Sequence, residues 1–271
     1  MNRRRLAVVV CVCSLGTTPA LVARQGAQPP ASAAAASAKT WLEHPEAIEA
    51  HLRTADVTSI EDIGTGVTHP RRAHLRPSQP VESLVWKVLP PGRRGGFWES
   101  YKSEIAAYEL DKLLGMQMVP PAIERRIDGD TGAAVMWIGS IESVKELGGK
   151  VPSGPSWNRA LRMMTMFDNL IGNIDRNAGN ILIGSPGELI LIDHSRAFVT
   201  DDKLVQKIER VDARLWDRVK VLTPDDLTRA LGSWLEADQI AAMIHRRDKM
   251  VSAVDKLVGK MGSARVIIEQ N

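Results

Sequence analysis

The segment FDNLIGNIDRNAGNILIGSPGELILIDHSRAF, from Phe167 to Phe198, places three polar residues between apolar runs. Asp175 precedes Asn180 by five positions, and Asn180 precedes Asp193 by thirteen. Asp193 directly follows the apolar run LILI, which is typical of a strand. Taken separately, the three residues could be a helix cap, a turn residue and a strand-end cap. Their order and spacing instead favour one shared site, with the carboxylate at the strand end facing a cleft.

Protein kinases use these residue types at similar offsets, because a catalytic-loop Asp is followed five residues later by a metal-binding Asn, and a second metal-binding Asp ends a nearby strand. Oxygen ligands suit the divalent cations that neutralise the phosphates of ATP. We therefore expect Asp175 to orient or deprotonate an acceptor hydroxyl, and Asn180 and Asp193 to bind Mg²⁺ or Mn²⁺. Such chemistry needs no Cys or His nucleophile.

A lysine on an upstream strand and a glutamate on the next helix would complete such a site. Lys87 lies inside the apolar run LVWKVL, where a lone lysine needs a partner or a phosphate. Glu104 follows seventeen residues later, at the start of an apolar helical run, and is expected to pair with Lys87. Glu99 and Glu109 are alternative partners. The alternative for Lys87 is an edge strand with its amine in solvent.

A glycine turn upstream of Lys87 could cover the nucleotide. Gly64 and Gly66 flank Thr65, and their backbone N–H groups could contact the phosphates of ATP. An ordinary hairpin turn is the alternative interpretation. His194, beside Asp193, is assigned no role, because one histidine does not make a metal site.

The apolar periodicity predicts an α+β protein of two lobes. Residues 41–140 are expected to form a small β-rich lobe with one helix, which lies within Phe97–Gly115 and ends at the glycine. The stretch VPPAIERRIDGDTGAAVMWIG, residues 119–139, predicts two strands around an Asp-Gly-Asp turn.

Residues 141–271 are expected to form a mainly helical lobe. Within it, NILI and LILID predict a strand pair around the turn GSPGE. Thr223 is expected to cap a helix that has Pro224 in its first position and acidic residues in its first turn.

The N-terminus has the pattern of an export signal. A basic start, MNRRR, precedes eleven apolar residues, so residues 1–23 predict a cleaved signal peptide, and an uncleaved membrane anchor is the alternative. Residues 24–40 are rich in Ala, Pro, Gln and Ser and predict a disordered linker. Both cysteines, Cys11 and Cys13, lie in the signal, so we expect neither a disulfide nor a thiolate zinc site in the mature protein.

Composition narrows the class of partner. The 271 residues are 44% apolar and 25% charged, and the net charge is +3. This charge is too small, and too evenly interleaved with acidic residues, to indicate a nucleic-acid-binding protein. The expected partners are therefore ATP and a hydroxyl-bearing acceptor, with a membrane only if the N-terminal segment stays uncleaved.

Two stretches resemble a known group of atypical kinases. SEIAAYELDKLLGMQMVPPAIERR resembles the helix and following strand of the secretory-pathway kinases, the family of the Golgi casein kinase and the proteoglycan xylosylkinase. The segment from Phe167 resembles their catalytic segment and that of the phosphoinositide 3-/4-kinases. The resemblance spans about Ile63 to Phe198 and implies a protein-kinase-like fold. It also implies a role in binding ATP for Lys87 and Glu104, in catalysis for Asp175, and in metal binding for Asn180 and Asp193.

The chain also departs from these families. Asn177 stands where phosphoinositide kinases have His, and Asp193-His194-Ser195 lacks the glycine of the Asp-Phe-Gly motif. The animal secretory kinases are rich in disulfides, whereas we expect none in this chain. We therefore expect its nearest relatives to be compact, bacterial-type members.

The expected function is an ATP-dependent phosphotransferase that acts on a hydroxyl of a protein or a glycan. One alternative is a nucleotide-binding pseudokinase or scaffold, although every expected catalytic residue is retained. Another is adenylyl transfer on the same fold, with ATP bound in reverse.

Overall fold

The structure is a computed structural model that describes residues 37–64, 70–77, 80–139, 141–184 and 187–269. The described residues belong to one compact unit. The predicted signal peptide, residues 1–23, and the predicted linker up to residue 36 lie outside the described residues. The predicted boundary between residues 140 and 141 stays a prediction. Within the described ranges, no helix is both long and apolar enough to cross a membrane.

An antiparallel sheet of five strands, in the order β1-β2-β3-β7-β6, forms the first half of the fold. We call this sheet, with its helices and a small hairpin of β4 and β5, the sheet lobe. Its strands and helices are α1 (Pro45–Thr54), β1 (Val57–Asp62), β2 (Arg71–Leu75), β3 (Ser83–Lys87), β4 (Gly92–Arg94), β5 (Phe97–Glu99), α2 (Lys102–Leu114), β6 (Ala122–Ile127) and β7 (Asp130–Met136).

The remaining elements form the helical lobe. In chain order they are β8 (Glu142–Ser143), α3 (Pro155–Ile171), β9 (Ile181–Gly184), β10 (Glu188–Leu191), β11 (Val211–Asp212), α4 (Ala213–Val219), α5 (Pro224–Leu231), α6 (Ala237–Met261), α7 (Ser263–Val266) and β12 (Ile267–Ile268). Helix α3 packs against α6 and β10, and α2 of the sheet lobe packs against α5. The chain therefore has the mixed fold that the sequence predicts, with a sheet lobe and a mainly helical lobe.

Helix α2 and the hairpin after it follow the predicted pattern with one difference at the start. The helix ends at Leu114, and Gly115 takes the left-handed conformation that closes it. The helix begins at Lys102, five residues after the start of the predicted stretch, and the first three of those residues, Phe97–Glu99, pair with β4 instead. Asp128 and Gly129, both with positive φ, form the predicted turn between β6 and β7.

The prediction of one helix in the β-rich lobe is incomplete. Pro45–Thr54 form a second helix, α1, which buries Ile48 and Leu52 and packs against β6. Ten residues give only three turns of apolar periodicity, so the signal in the sequence is weak.

In the helical lobe, the predicted strand pair and the predicted cap are both confirmed. Strands β9 and β10 pair antiparallel across the turn. The Thr223 side chain accepts from the Asp226 N–H, and the Asp226 carboxylate accepts from the Thr223 N–H, which is a complete capping box.

Strand β3 lies inside the sheet and ends at Lys87. It pairs with β2 on one side and with β7 on the other, so the edge-strand alternative for Lys87 is wrong. Gly132 on β7 allows the strands to approach here, because a Cβ at this position would overlap the carbonyl oxygen of Lys87. The close approach fixes the backbone from which the lysine side chain extends.

We predict opposite effects for two Gly→Ala substitutions. Gly132→Ala should destabilise the protein by about 1–3 kcal/mol, because the clash is with backbone that cannot rotate away. Gly259→Ala, the matched control inside α6, meets open space and should stabilise by about 0.5–1 kcal/mol. Urea unfolding of both variants measures the difference, and equal midpoints would contradict the close approach at Gly132.

Candidate active site

Three charged side chains from distant parts of the chain meet at the end of β3. The ammonium nitrogen of Lys87 lies 2.6 Å from Oε1 of Glu104 on α2, and 2.7 Å from Oδ1 of Asp193, which follows β10. Lys87 and Glu104 are buried, whereas the Asp193 side chain is 30% exposed. We call these three residues the charge triad.

Burial and charge pairing shift the pKa values of Lys87 and Glu104 in opposite directions. Burial disfavours the charged ammonium of Lys87, but the carboxylates of Asp193 and Glu104 outweigh this effect and raise the pKa of Lys87. Burial likewise raises the pKa of Glu104, but the Lys87 ammonium and the hydrogen bond from His194 hold that pKa well below its usual range. Both groups are therefore charged at neutral pH.

Glu104 is the partner of Lys87 among the three acidic candidates. Its two carboxylate oxygens also accept the backbone N–H of His194, each at 3.1 Å. Glu109 pairs with Lys112 instead, and Glu99 binds Arg196. Glu104 therefore fixes both the lysine and the backbone that follows Asp193. His194, which sequence analysis left without a role, supplies this N–H.

Asp193 has a left-handed backbone conformation, which is uncommon for residues other than glycine. Its φ is +57°, in the left-handed region that Asp tolerates better than most residues. Oδ1 accepts hydrogen bonds from Lys87 and from the Ser195 hydroxyl, the latter at 3.0 Å. Within the described residues, Oδ2 accepts no hydrogen bond. Ser195, at the position of the motif's glycine, has no positive φ, so the loop needs no glycine there, and one carboxylate oxygen of Asp193 is left available.

The predicted catalytic loop brings Asp175 and Asn180 together. The side-chain amide of Asn180 donates to the carbonyl of Asp175 at 3.1 Å. Asn180 is buried at the end of a short 3₁₀ turn, Ala178–Asn180, which the side chain of Asn177 caps. Asn177, a departure from the phosphoinositide kinases, therefore has a structural role here. The amide oxygen of Asn180 accepts no hydrogen bond in the described part of the chain.

Arg176, which sequence analysis missed, joins the predicted catalytic loop to the end of β10. Its guanidinium donates to both carboxylate oxygens of Asp168, to the carbonyl of Asn180 at 2.9 Å and to the carbonyl of Ile192 at 2.8 Å. It also contacts the ring of His194 at 2.9 Å. One buried cation thus holds the backbone of both predicted metal ligands, Asn180 directly and Asp193 through its neighbour. The adjacent Asp-Arg pair in the sequence is a weak signal of this role.

The donor set fits a divalent cation that is shared with a nucleotide. No group of three or more His, Cys, Asp or Glu side chains suited to a metal occurs in the described ranges. Asn180 and Asp193 offer one amide oxygen and one carboxylate oxygen. Mg²⁺ commonly takes one or two protein ligands and completes its shell with substrate phosphates and water. The residues present therefore fit such an ion.

The predicted glycine turn lies largely outside the described residues. Gly64 has φ +72° and lies after β1, and a Cβ at this position would meet open space. Gly66 lies outside the described residues. A role for this turn in covering phosphates stays a prediction.

Comparisons with solved structures agree with this architecture. Hydra Fam20, solved with sugar, superposes with a TM-score of 0.68 at 18% identity, over 83% of this chain and 92% of that one. The Golgi casein kinase, solved with Mn/ADP, gives a TM-score of 0.64 at 14% identity, over 82% and 78% of the two chains. The Helicobacter pylori proinflammatory kinase CtkA gives 0.50 at 11% identity, over 77% and 96%.

By sequence, no protein-family model and no curated protein matches this chain. These three structural neighbours are below 25% identity, so the likeness concerns the fold. The chain has an atypical kinase-like fold, and the predicted fold class is confirmed.

We predict that the charge triad makes stability sensitive to acid. In the folded protein the pKa of Glu104 lies below its usual range, whereas an unfolded chain has a value of about 4.3. Its stabilising contribution is therefore complete above about pH 4.3 and is lost as the pH falls below that value. The difference in the free energy of unfolding between wild type and Glu104→Gln should therefore decrease by roughly 1–2 kcal/mol when the pH is lowered from 5 to 3. Urea titrations at both pH values test this, and a constant difference would refute it.

Proposed function

We propose that this protein is an ATP-dependent phosphotransferase that moves the γ-phosphoryl group of ATP to a hydroxyl of a protein or a glycan. The observation that carries the proposal is the charge triad, which holds a buried ammonium and a partly exposed carboxylate next to the loop of Asp175 and Asn180. Protein kinases use these groups together to bind the phosphates of ATP and its divalent cations.

Lys87 is suited to hold a phosphate oxygen. An ammonium has three N–H donors, and Glu104 and Asp193 occupy two of them. The third donor remains for the nucleotide. Because Glu104 is fixed by His194 as well, the lysine is held in place before any ligand arrives.

Asn180 and Asp193 would hold Mg²⁺ or Mn²⁺ through their available side-chain oxygens. Such an ion, when bound, neutralises the phosphate charge that develops during transfer. The Golgi casein kinase, whose structure contains Mn/ADP, supports this choice of nucleotide and metal.

Asp175 is suited to receive the proton of the acceptor. In the transfer step, the acceptor oxygen bonds to the γ-phosphorus, the bond from that phosphorus to the β–γ bridging oxygen breaks, and ADP leaves. The hydroxyl proton passes to the carboxylate of Asp175, whose side chain is 36% exposed and so accessible to an acceptor. The hydra Fam20 complex with sugar supports a glycan as one class of acceptor.

We further propose that the protein acts after export, with residues 1–23 removed, or else remains anchored by them. N-terminal sequencing of the protein from its native compartment distinguishes the two cases, since cleavage predicts a new N-terminus near residue 24. Export requires a source of ATP outside the cytoplasm, whereas an anchored protein with its domain inside does not.

We predict that Asp175→Asn separates binding from turnover. The amide keeps the shape of the carboxylate but cannot accept the proton, so turnover of ATP with Mn²⁺ should fall by about 10²–10⁴-fold. Binding of ADP with Mn²⁺, measured by titration calorimetry, should be unchanged. Asp217→Asn, an exposed aspartate on α4, is the matched control and should keep full turnover. Full turnover by Asp175→Asn would remove this residue from the mechanism.

A further inference from the structure

We propose that Arg196 positions Asp175 for proton transfer and that Glu99 of β5 holds Arg196 in place. This inference rests on the proposed function and deepens it, because it assigns a role to two residues outside the predicted site. Neither residue belongs to the charge triad or to the pair of candidate metal ligands.

Arg196 lies between two carboxylates and an aromatic ring. Its Nε and one terminal nitrogen donate to Oε1 of Glu99, at 3.0 and 2.8 Å. The other terminal nitrogen donates to Oδ2 of Asp175 at 3.3 Å. The guanidinium also lies over the ring of Phe97, 4.4 Å from its centre. Four contacts of one planar group leave it little freedom to rotate.

The bridge holds one oxygen of Asp175 and leaves the other available. Arg196 and Glu99 are largely buried, whereas Asp175 is partly exposed. Oδ1 of Asp175 accepts no hydrogen bond from any described residue, so it is the oxygen that an acceptor hydroxyl can reach. Anchoring Oδ2 therefore orients Oδ1, and a small error in that orientation costs a large factor in rate.

One short stretch of chain supports both halves of the site. Glu99, at the end of β5, holds Arg196, and Glu104, five residues later on α2, holds Lys87. The backbone N–H of Ser100, between them, donates to the carbonyl of Ser195 at 3.0 Å. The junction of β5 and α2 thus fixes the loop of Asp193 and, through Arg196, the carboxylate of Asp175.

A purely structural ion pair would behave differently from a positioning pair. Loss of a structural pair would lower the melting temperature and weaken nucleotide binding together with turnover. Loss of a positioning pair should lower kcat while leaving KM for ATP and the binding of ADP with Mn²⁺ unchanged.

The experiment measures turnover of ATP with Mn²⁺, with water as the acceptor, by release of ADP from the full mature domain. Arg196→Ala should lower kcat by about 10–100-fold with KM for ATP changed by less than about twofold. Arg196→Lys should recover only part of the rate. It keeps the positive charge, but its single ammonium cannot bind both carboxylates as the planar guanidinium does. Glu99→Gln should give a smaller loss, and Phe97→Ala a smaller one still. Arg93→Ala, an exposed arginine on the same hairpin, is the matched control and should keep the wild-type rate.

The outcomes separate the two proposals. Absence of turnover by the wild type would overturn the proposed function, and the role of Arg196 with it. Wild-type turnover that is unchanged in Arg196→Ala and Glu99→Gln would overturn the role of Arg196 alone. If the melting temperature, the affinity for ADP and kcat all decrease together, these residues have a structural role instead. If Arg196→Ala fails to fold, Arg196→Lys and Glu99→Gln decide the same question.

Discussion

The buried ammonium of Lys87 is the constraint on which the rest of the structure depends. A lone cation inside a protein is costly unless carboxylates pair with it, and removal of one partner leaves an uncompensated charge. Its two partners come from a helix that follows β3 and from a loop 106 residues away. The sheet, α2 and the end of β10 must therefore meet at one point. Buried ion pairs contribute little net stability, and the proposed phosphate site would give this arrangement a function.

Two further cations, Arg176 and Arg196, extend this network of charge pairs to the segment that contains Asp175 and Asn180. Arg176 is paired with the fully buried Asp168 and donates to the backbone of Asn180 and Ile192. Arg196 is paired with Glu99 and reaches Asp175. Each cation is fixed by a buried carboxylate and in turn fixes a candidate functional residue. The site is thus held by charge pairs around it and does not depend on loop conformation alone.

Local sequence patterns predicted much of the fold and the central contacts of the site. The apolar strand around Lys87, the helical run after Glu104 and the strand before Asp193 have clear periodicity, and the kinase-like offsets linked them. The left-handed backbone of Asp193 could not be predicted, because Asp adopts it only where the surroundings favour it.

The contacts of Arg176 and Arg196 are tertiary, and no local pattern specifies which carboxylate an arginine will meet. The same holds for Glu99. The sequence suggested it only as an alternative to Glu104 as the partner of Lys87, and the fold places it against Arg196. Helix α1 was missed for a different reason, since its three turns bury only two side chains, Ile48 and Leu52.

The most direct test of the central claim is a thermal shift of the mature domain with ATP and Mn²⁺, compared with the Asp193→Ala variant. A ligand at one hundred times its Kd stabilises the native state by about 2.7 kcal/mol, which raises the Tm of a protein of this size by a few degrees. We expect a shift in the wild type that requires the metal and is lost in Asp193→Ala. Equal shifts in both proteins, or none in the wild type at millimolar ATP, would contradict a nucleotide site built on the charge triad.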